Sequence, residues 1–364
     1  MYRFAFLIFA TLWGACAAHG DAAVRETTLF ESGAGGYDTY RIPAIVTTKR
    51  GVVLAFCEGR KDGQGDAGNI DLLLRRSMDQ GETWGPVQVV VDDGDKTCGN
   101  PCPIVDHESG DVVLLITTNG GADAELKIQM GTAPARIPWV LRSQDDGATW
   151  TVPRDISATA TKPGYRWYAT GPGHGIQLSS GRMIAPCDHS TGPAHDEQFS
   201  HVLYSDDAGE TWAHGGTLPG KTNECIAVEL APDALYLNAR NYFGDNRRAF
   251  ALSADGGNTF GPLEHDASLI DPVCQASALL LAPGQVLFSN SASKKRENMT
   301  VRLSTDNAKT WPHALVLWPG RAAYSDLALL PNGDIACLYE RGDKSHYERI
   351  VLARFAPAAL RSTP

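Results

Sequence analysis

The stretch Ser77-Met78-Asp79-Gln80-Gly81-Glu82-Thr83-Trp84 reads Ser-x-Asp-x-Gly-x-Thr-aromatic, and the pattern returns at 143–150, 205–212, 253–260 and 304–311. Successive copies start 66, 62, 48 and 51 residues apart. Repetition at such a period marks a fold built from similar stacked units. The residue types explain the motif. Asp, Ser and Thr side chains bond nearby backbone groups and hold a tight turn. Gly81, Gly147, Gly209 and Gly257 supply a positive φ, while the last copy is degenerate, with Ala308 in that place. The aromatic ring offers apolar surface to pin the turn against a sheet. A calcium loop would stack several acidic or carbonyl ligands; only one Asp is common to all copies, so the repeat is structural.

Strand signals surround each copy. Residues 42–47 are apolar and β-branched, Lys49-Arg50-Gly51 turns, and 52–57 run back. A polar Gly-rich loop follows, then 70–74, the repeated turn, and 87–91. These are four antiparallel strands, with the motif joining the third to the fourth. Similar pieces recur at 112–117, 234–238, 286–289 and 334–339, and no long stretch carries a helical period. Units of this size over 364 residues imply an all-β chain folded as a six-bladed β-propeller. The strand at 349–355 is expected to close the ring by completing the first blade.

Composition narrows the function classes. The chain is 43% hydrophobic and 20% charged, with 37 Gly and 21 Pro, which excludes a disordered tail, a collagen or a coiled coil. A net charge of −10 argues against a nucleic-acid partner, which calls for a basic face. Arg3, an apolar run over 4–13 and Ala15-Cys16-Ala17 read as a secretory signal peptide, too short to span a membrane. The expectation is therefore a leader at 1–20 and a single propeller domain over 21–364, exported to the periplasm, cell surface or medium. Cys16 as a lipoprotein cysteine is the lesser alternative. Of eight cysteines, seven follow the leader, an odd number that cannot form a complete disulfide framework. Cys98 and Cys102 flank Gly-Asn-Pro as a local bridge or half a metal site would, but no second pair has zinc spacing and the histidines are scattered.

The repeated turns together with Tyr40-Arg41-Ile42-Pro43 make the chain similar to the sialidases, whose motif is [FY]-R-I-P. The resemblance runs from about Tyr40 to Phe355. It implies an arginine triad for a sugar carboxylate, matched by Arg41, by Arg240 in Leu237-Asn238-Ala239-Arg240, and by Arg302 in Thr300-Val301-Arg302-Leu303. Guanidinium forks hold carboxylates bidentately and stay charged. It also implies a tyrosine nucleophile, Tyr324 in Ala323-Tyr324-Ser325-Asp326, activated by Glu224. A phenol with pKa ~10 needs such a base within reach.

The acid/base is expected in the loop after the second strand, where Asp62, Asp66 and Asp71 compete. Asp66, in Gly63-Gln64-Gly65-Asp66-Ala67-Gly68, best resembles the family's mobile acid. Its pKa must rise above ~3.9 to donate near neutrality. Glu340 matches the carboxylate that orients Arg41, Arg60 a secondary substrate contact, and Asn100 a residue lining the N-acyl or glycerol side. Segments 167–173 and 186–189 are further candidates for the pocket rim. The resemblance implies a monomeric exo-α-sialidase acting on sialylated glycoproteins, glycolipids and oligosaccharides, with no cofactor and no metal. A trans-sialidase, a hydrolase for a related nonulosonic acid and a non-catalytic sialic-acid-binding propeller are the competing readings.

Overall fold

The structure, a computed structural model, describes residues 24–362; the expected leader, Cys16 included, lies outside them. Six antiparallel blades follow one another along the chain. Blade one is Thr39–Thr47, Val53–Arg60, Ile70–Ser77 and Gln88–Val91. Blade two is Thr97–Val105, Val112–Asn119, Ile137–Ser143 and Arg154–Asp155. Blade three has its first strand split into Tyr168–Thr170 and Ile176–Gln177, then Met183–Ser190, Gln198–Ser205 and Ala213–Thr217. Blade four is Thr222–Ala231, Ala234–Asn241, Arg247–Ser253 and Glu264–Ile270.

Blades five and six share the long strand His313–Leu329. Its first half pairs with Glu297–Ser304 of blade five, outside Gln285–Ser291 and Ser277–Ala282. Its second half pairs with Ile335–Gly342 of blade six, followed by Arg349–Phe355. Ring closure differs from the expectation. Arg349–Phe355 pairs with Arg25–Glu31, so the earliest described strand completes blade six, and blade one needs no help from the other end. The repeated turn joins a third strand to a fourth. Blade six takes its fourth strand from the opposite end of the chain, so it has no such turn, which is why there are five copies for six blades.

Each turn is built the same way. In blade one Ser77 Oγ donates to Asp79 Oδ1 at 2.8 Å and accepts from the Gly81 N–H at 2.8 Å, while Thr83 donates to Asp79 from its N–H at 2.8 Å and its hydroxyl at 2.5 Å. These donors hold the Asp79 carboxyl down at about 2. Ala308 in the degenerate copy adopts φ 61° and still donates to Ser304 Oγ at 2.9 Å. The rings seal neighbouring blades. Trp150 of blade two packs against the cluster that holds Leu54 and Leu74 of blade one, its ring 5.9 Å from that of Phe56, and Trp311 of blade five shares a cluster with Ile226 and Tyr236 of blade four.

The turns and the first-to-second hairpins lie at one end of the blades. The starts of first strands and the second-to-third loops lie at the other. Cys98 and Cys102 are buried and free, like the other five described cysteines. They sit on one extended strand, a separation beyond the ~7 Å a disulfide can bridge. No described helix is long and apolar enough to cross a membrane.

Candidate active site

At the end opposite the repeated turns lies a polar cavity of about 280 Å³, walled by side chains from all six blades. The apolar-walled hollow of about 400 Å³ at the other end gathers no comparable set of charges. Strand polarity decides which residues reach the polar cavity: those near the start of a first strand, the end of a second strand, or the loop after it.

Arg41, near the start of blade one's first strand, is buried and donates from Nε to Glu340 Oε1 at 3.1 Å and from Nη2 to Oε2 at 3.4 Å. Glu340, at the end of a second strand, is fully buried and also accepts from the N–H of Ile42 at 2.9 Å and of Tyr324 at 3.1 Å. One carboxylate thus fixes both the guanidinium and the backbone of the tyrosine. Burial pulls the Arg41 pKa down, but Glu340 together with Tyr347, Tyr324 and Asp66 outweighs it and holds the pKa well above the usual range.

Tyr324 donates its phenol proton to Glu224 Oε1 at 2.5 Å, and Arg240 Nη1 reaches Glu224 Oε2 at 2.8 Å and the Tyr324 oxygen at 3.3 Å. Burial and the facing Glu224 carboxylate raise this phenol well above its ordinary range, against the pull of Arg240 and Arg41. Tyr324 is thereby held in its protonated form.

The third expected arginine is displaced. Arg302 sits two residues before a repeated turn, where its Nη1 donates to Asn290 Oδ1 at 3.1 Å, and it is absent from the cavity wall. Arg296 stands in the cavity instead. It precedes Glu297–Ser304, lines the cavity, donates from Nη1 to the Tyr347 hydroxyl at 2.5 Å and lies 5.6 Å from the Tyr324 ring centre. Lys294-Lys295-Arg296 read as a solvated turn. Counting one eight-residue strand back from Ser304 was the signal available for it.

Among the three competing aspartates, Asp71 is buried beneath Tyr37 and Lys61, and Asp62 accepts from the Asn69 N–H; neither lines the cavity. Asp66 does, half exposed, 2.8 Å from Arg60 Nη1 and 3.5 Å from Arg41 Nη1. Burial pushes its carboxyl up, but Arg60 and Arg41 outweigh that and hold it below the usual range. In the ligand-free arrangement the shift thus runs opposite to what an acid needs, because Asp66 shares the arginine expected to take the substrate carboxylate.

Arg60 is clamped by Glu58 Oε2 at 2.6 Å and donates to the carbonyls of Gln64 and Gly65, so it props the loop that carries Asp66. Glu58, Tyr347, Glu125 and Arg136 line or support the cavity and carried no sequence signal. Asn100 lines it with φ 55°, its N–H on Glu58 and its Oδ1 accepting from Arg136 at 2.9 Å. A Cβ at Gly99 would lie 2.1 Å from Glu58 Oε1, so this close approach requires glycine. Trp167, Ala169 and Asp188 bring segments 167–173 and 186–189 to the rim as expected.

The histidines are less scattered than their spacing suggests. His189, His201 and His214 bring ring nitrogens within 4.8 Å of one another. Yet His201 and His214 stack face to face, 3° from parallel at 4.6 Å, and His214 is held by the Gly215 carbonyl and the Tyr165 hydroxyl. In-plane lone pairs on parallel rings cannot converge on one ion, so this is an aromatic, hydrogen-bonded core rather than a metal centre.

A family model described as a BNR repeat-like domain matches residues 51–337. The chain is 35% identical to a sialidase of Micromonospora viridifaciens, over 92% of this chain and 55% of that protein, and 32% identical to Sialidase-3 of Bos taurus, over 89% and 91%. The chain belongs to the sialidase family. That membership makes it a glycoside hydrolase. A solved structure titled Hadza microbial sialidase Hz136 superposes with a TM-score of 0.82 at 27% identity, covering 91% of this chain and 68% of that one. For this sialidase-family chain the expected arginines from blades one and four stand in one cavity with the expected tyrosine, glutamate and aspartate, and blade five contributes Arg296.

Proposed function

We propose that the protein is an exo-α-sialidase that removes terminal α-linked sialic acid from glycoproteins, glycolipids and oligosaccharides with retention of configuration. The observation that carries this reading is the Tyr324 phenol 2.5 Å from Glu224, in one cavity with Arg41, Arg240 and Arg296.

The three guanidinium groups seat the sugar carboxylate and leave the anomeric carbon over Tyr324. A carboxylate nucleophile would meet like charge there, and sialidases are among the glycosidases that depart from the two-carboxylate rule. As the Tyr324 oxygen bonds to the anomeric carbon, its proton passes to Glu224, the glycosidic bond breaks, and Asp66 protonates the leaving oxygen. Water then gives a proton to Asp66 and attacks the same carbon, and the departing tyrosine oxygen recovers its proton from Glu224. The substrate carboxylate supplies what the free Asp66 lacks. By neutralising Arg41 it removes one of the charges that keep Asp66 ionised, and by covering the loop it excludes water; both raise the carboxyl toward working pH. Export through a leader at 1–20 belongs to the same proposal.

The test is to incubate the purified protein with α2,3-, α2,6- and α2,8-linked sialosides and identify the released sugar and its first-formed anomer. Release of α-sialic acid supports the proposal. A β-anomer formed first, or no release from any linkage, overturns it. Added lactose separates transfer from hydrolysis by the appearance of a sialylated product.

A further inference from the structure

On the part of the cavity wall supplied by blade three stands a carboxylate that the mechanism does not use. Asp188 is at the end of blade three's second strand, lines the cavity and is 1% exposed. Its Oδ1 accepts from Asn223 Nδ2 at 3.3 Å, while its Oδ2 is buried with no partner among the described residues. Buried polar atoms are nearly always bonded, and an orphan beside a binding cavity calls for an explanation. Leaving a carboxylate oxygen unpaired out of water is costly, and a site built that way rejects ligands that fail to supply the missing donor.

Ring geometry says which part of a substrate would supply it. Arg41, Arg240, Arg296 and Tyr324 come from blades one, four, five and six, so a sugar held there by its carboxylate extends toward the remaining blades, two and three. Resting on the proposed sialidase reading, we infer that Asp188 is a specificity-determining residue, accepting an N–H or O–H donor from the edge of the sugar furthest from its carboxylate. Two substituent positions offer that chemistry: the group on carbon five and the hydroxyls of the glycerol tail. Glu125 lines the same wall, its Oε1 occupied by Gln129 Nε2 at 2.7 Å, and Arg136 is spoken for by Asn119 and Asn100. Asp188 is therefore the carboxylate on this wall whose unpaired acceptor is buried away from water. Burial and the carboxylates of Glu224 and Glu125 push its carboxyl well above the usual range, as expected of a buried acceptor short of a donor.

The experiment compares wild type, Asp188→Leu and Asp188→Asn on three aryl glycosides: N-acetylneuraminide, its seven-carbon analogue without the outer tail hydroxyls, and its 5-deoxy analogue. Turnover of the first by wild type tests the sialidase reading separately. Asp188→Leu should lose roughly 10- to 100-fold in kcat/KM on the parent sugar, mostly through KM, the cost of leaving the sugar's donor buried and unpaired. Asp188→Asn should recover part of it. The loss should vanish on whichever analogue lacks the donor, the seven-carbon sugar if the tail is read and the 5-deoxy sugar if carbon five is read. An equal loss on all three substrates, a loss confined to kcat, or none at all would overturn the inference.

Discussion

Replacing Arg296 and Arg302 in parallel by Met separates the site seen in three dimensions from the one expected along the chain. Arg296 lines the cavity, and its Nη1 contact with Tyr347 at 2.5 Å holds it beside Tyr324. A bidentate grip on a carboxylate makes two charge-assisted bonds, each worth ~1.5–3 kcal/mol. Allowing for their non-additivity, Arg296→Met should cost ~3–4 kcal/mol of transition-state stabilisation, roughly 150- to 900-fold in kcat/KM. Arg302 has its bond to Asn290 Oδ1 at 3.1 Å and no place in the cavity. Arg302→Met should leave kcat/KM within about threefold, its effect limited to the ~1 kcal/mol of a lost hydrogen bond. Steady-state rates on a fluorogenic aryl sialoside decide the matter, with far-ultraviolet circular dichroism to show that both variants are folded. If Arg302→Met lost as much as Arg296→Met, or Arg296→Met kept its activity, the assignment by strand polarity would be wrong.

Asp66→Ala should lower kcat/KM for natural sialosides by about 10²- to 10⁴-fold, the range for a lost general acid, and by less than tenfold for an aryl sialoside whose leaving group needs no proton; equal losses would remove Asp66 from that role. Asp145→Ala takes from one repeated turn the acceptor of Ser143 at 2.9 Å and of the Thr149 N–H at 2.8 Å. It should cost about 1–3 kcal/mol, seen as a lower Tm with kcat/KM intact because the turn lies at the far end of the blade. The buried histidines make a pH prediction. Burial holds His189 down to about 3 and His214 to about 4. The unfolded chain takes up protons below ~6.5 and the native one does not, so stability is full above that pH and falls as pH drops toward the native values, by up to ~1.4 kcal/mol per pH unit for each group. His189→Phe should flatten the dependence of Tm on pH between 6.5 and 4; an unchanged slope would mean that the cluster is not the source.

Much of this architecture was legible because its signals are local. The turn at 77–84 writes its hydrogen bonds in its own residue types, and all five copies fold as their composition demands. Arg41, Tyr324, Glu224 and Arg240 sit in short contexts that single them out, and all four line one cavity. What escaped depends on relations between distant residues. Arg302 has the right neighbours in sequence and the wrong position along its strand; Arg296 has unremarkable neighbours and the right position. Glu58 acts only through Arg60 and Asn100, and the state of Asp66 depends on two arginines whose distance from it no local pattern encodes. The order of ring closure was recoverable from the five copies of the turn, since a blade completed from the other end of the chain has no third-to-fourth link.

That closure ties chemistry to chain completion. Blade six carries Tyr324 and Glu340, and its outer edge is Arg25–Glu31, laid down some three hundred residues before the strand it pairs with. While a ribosome is still at work, the earliest strand is an open edge waiting for a mate, and the tyrosine has no finished sheet behind it. The proposed tyrosine site is thus backed by a complete sheet only once the clasp shuts, and a nick that frees only the first few described strand residues would loosen the blade that carries it.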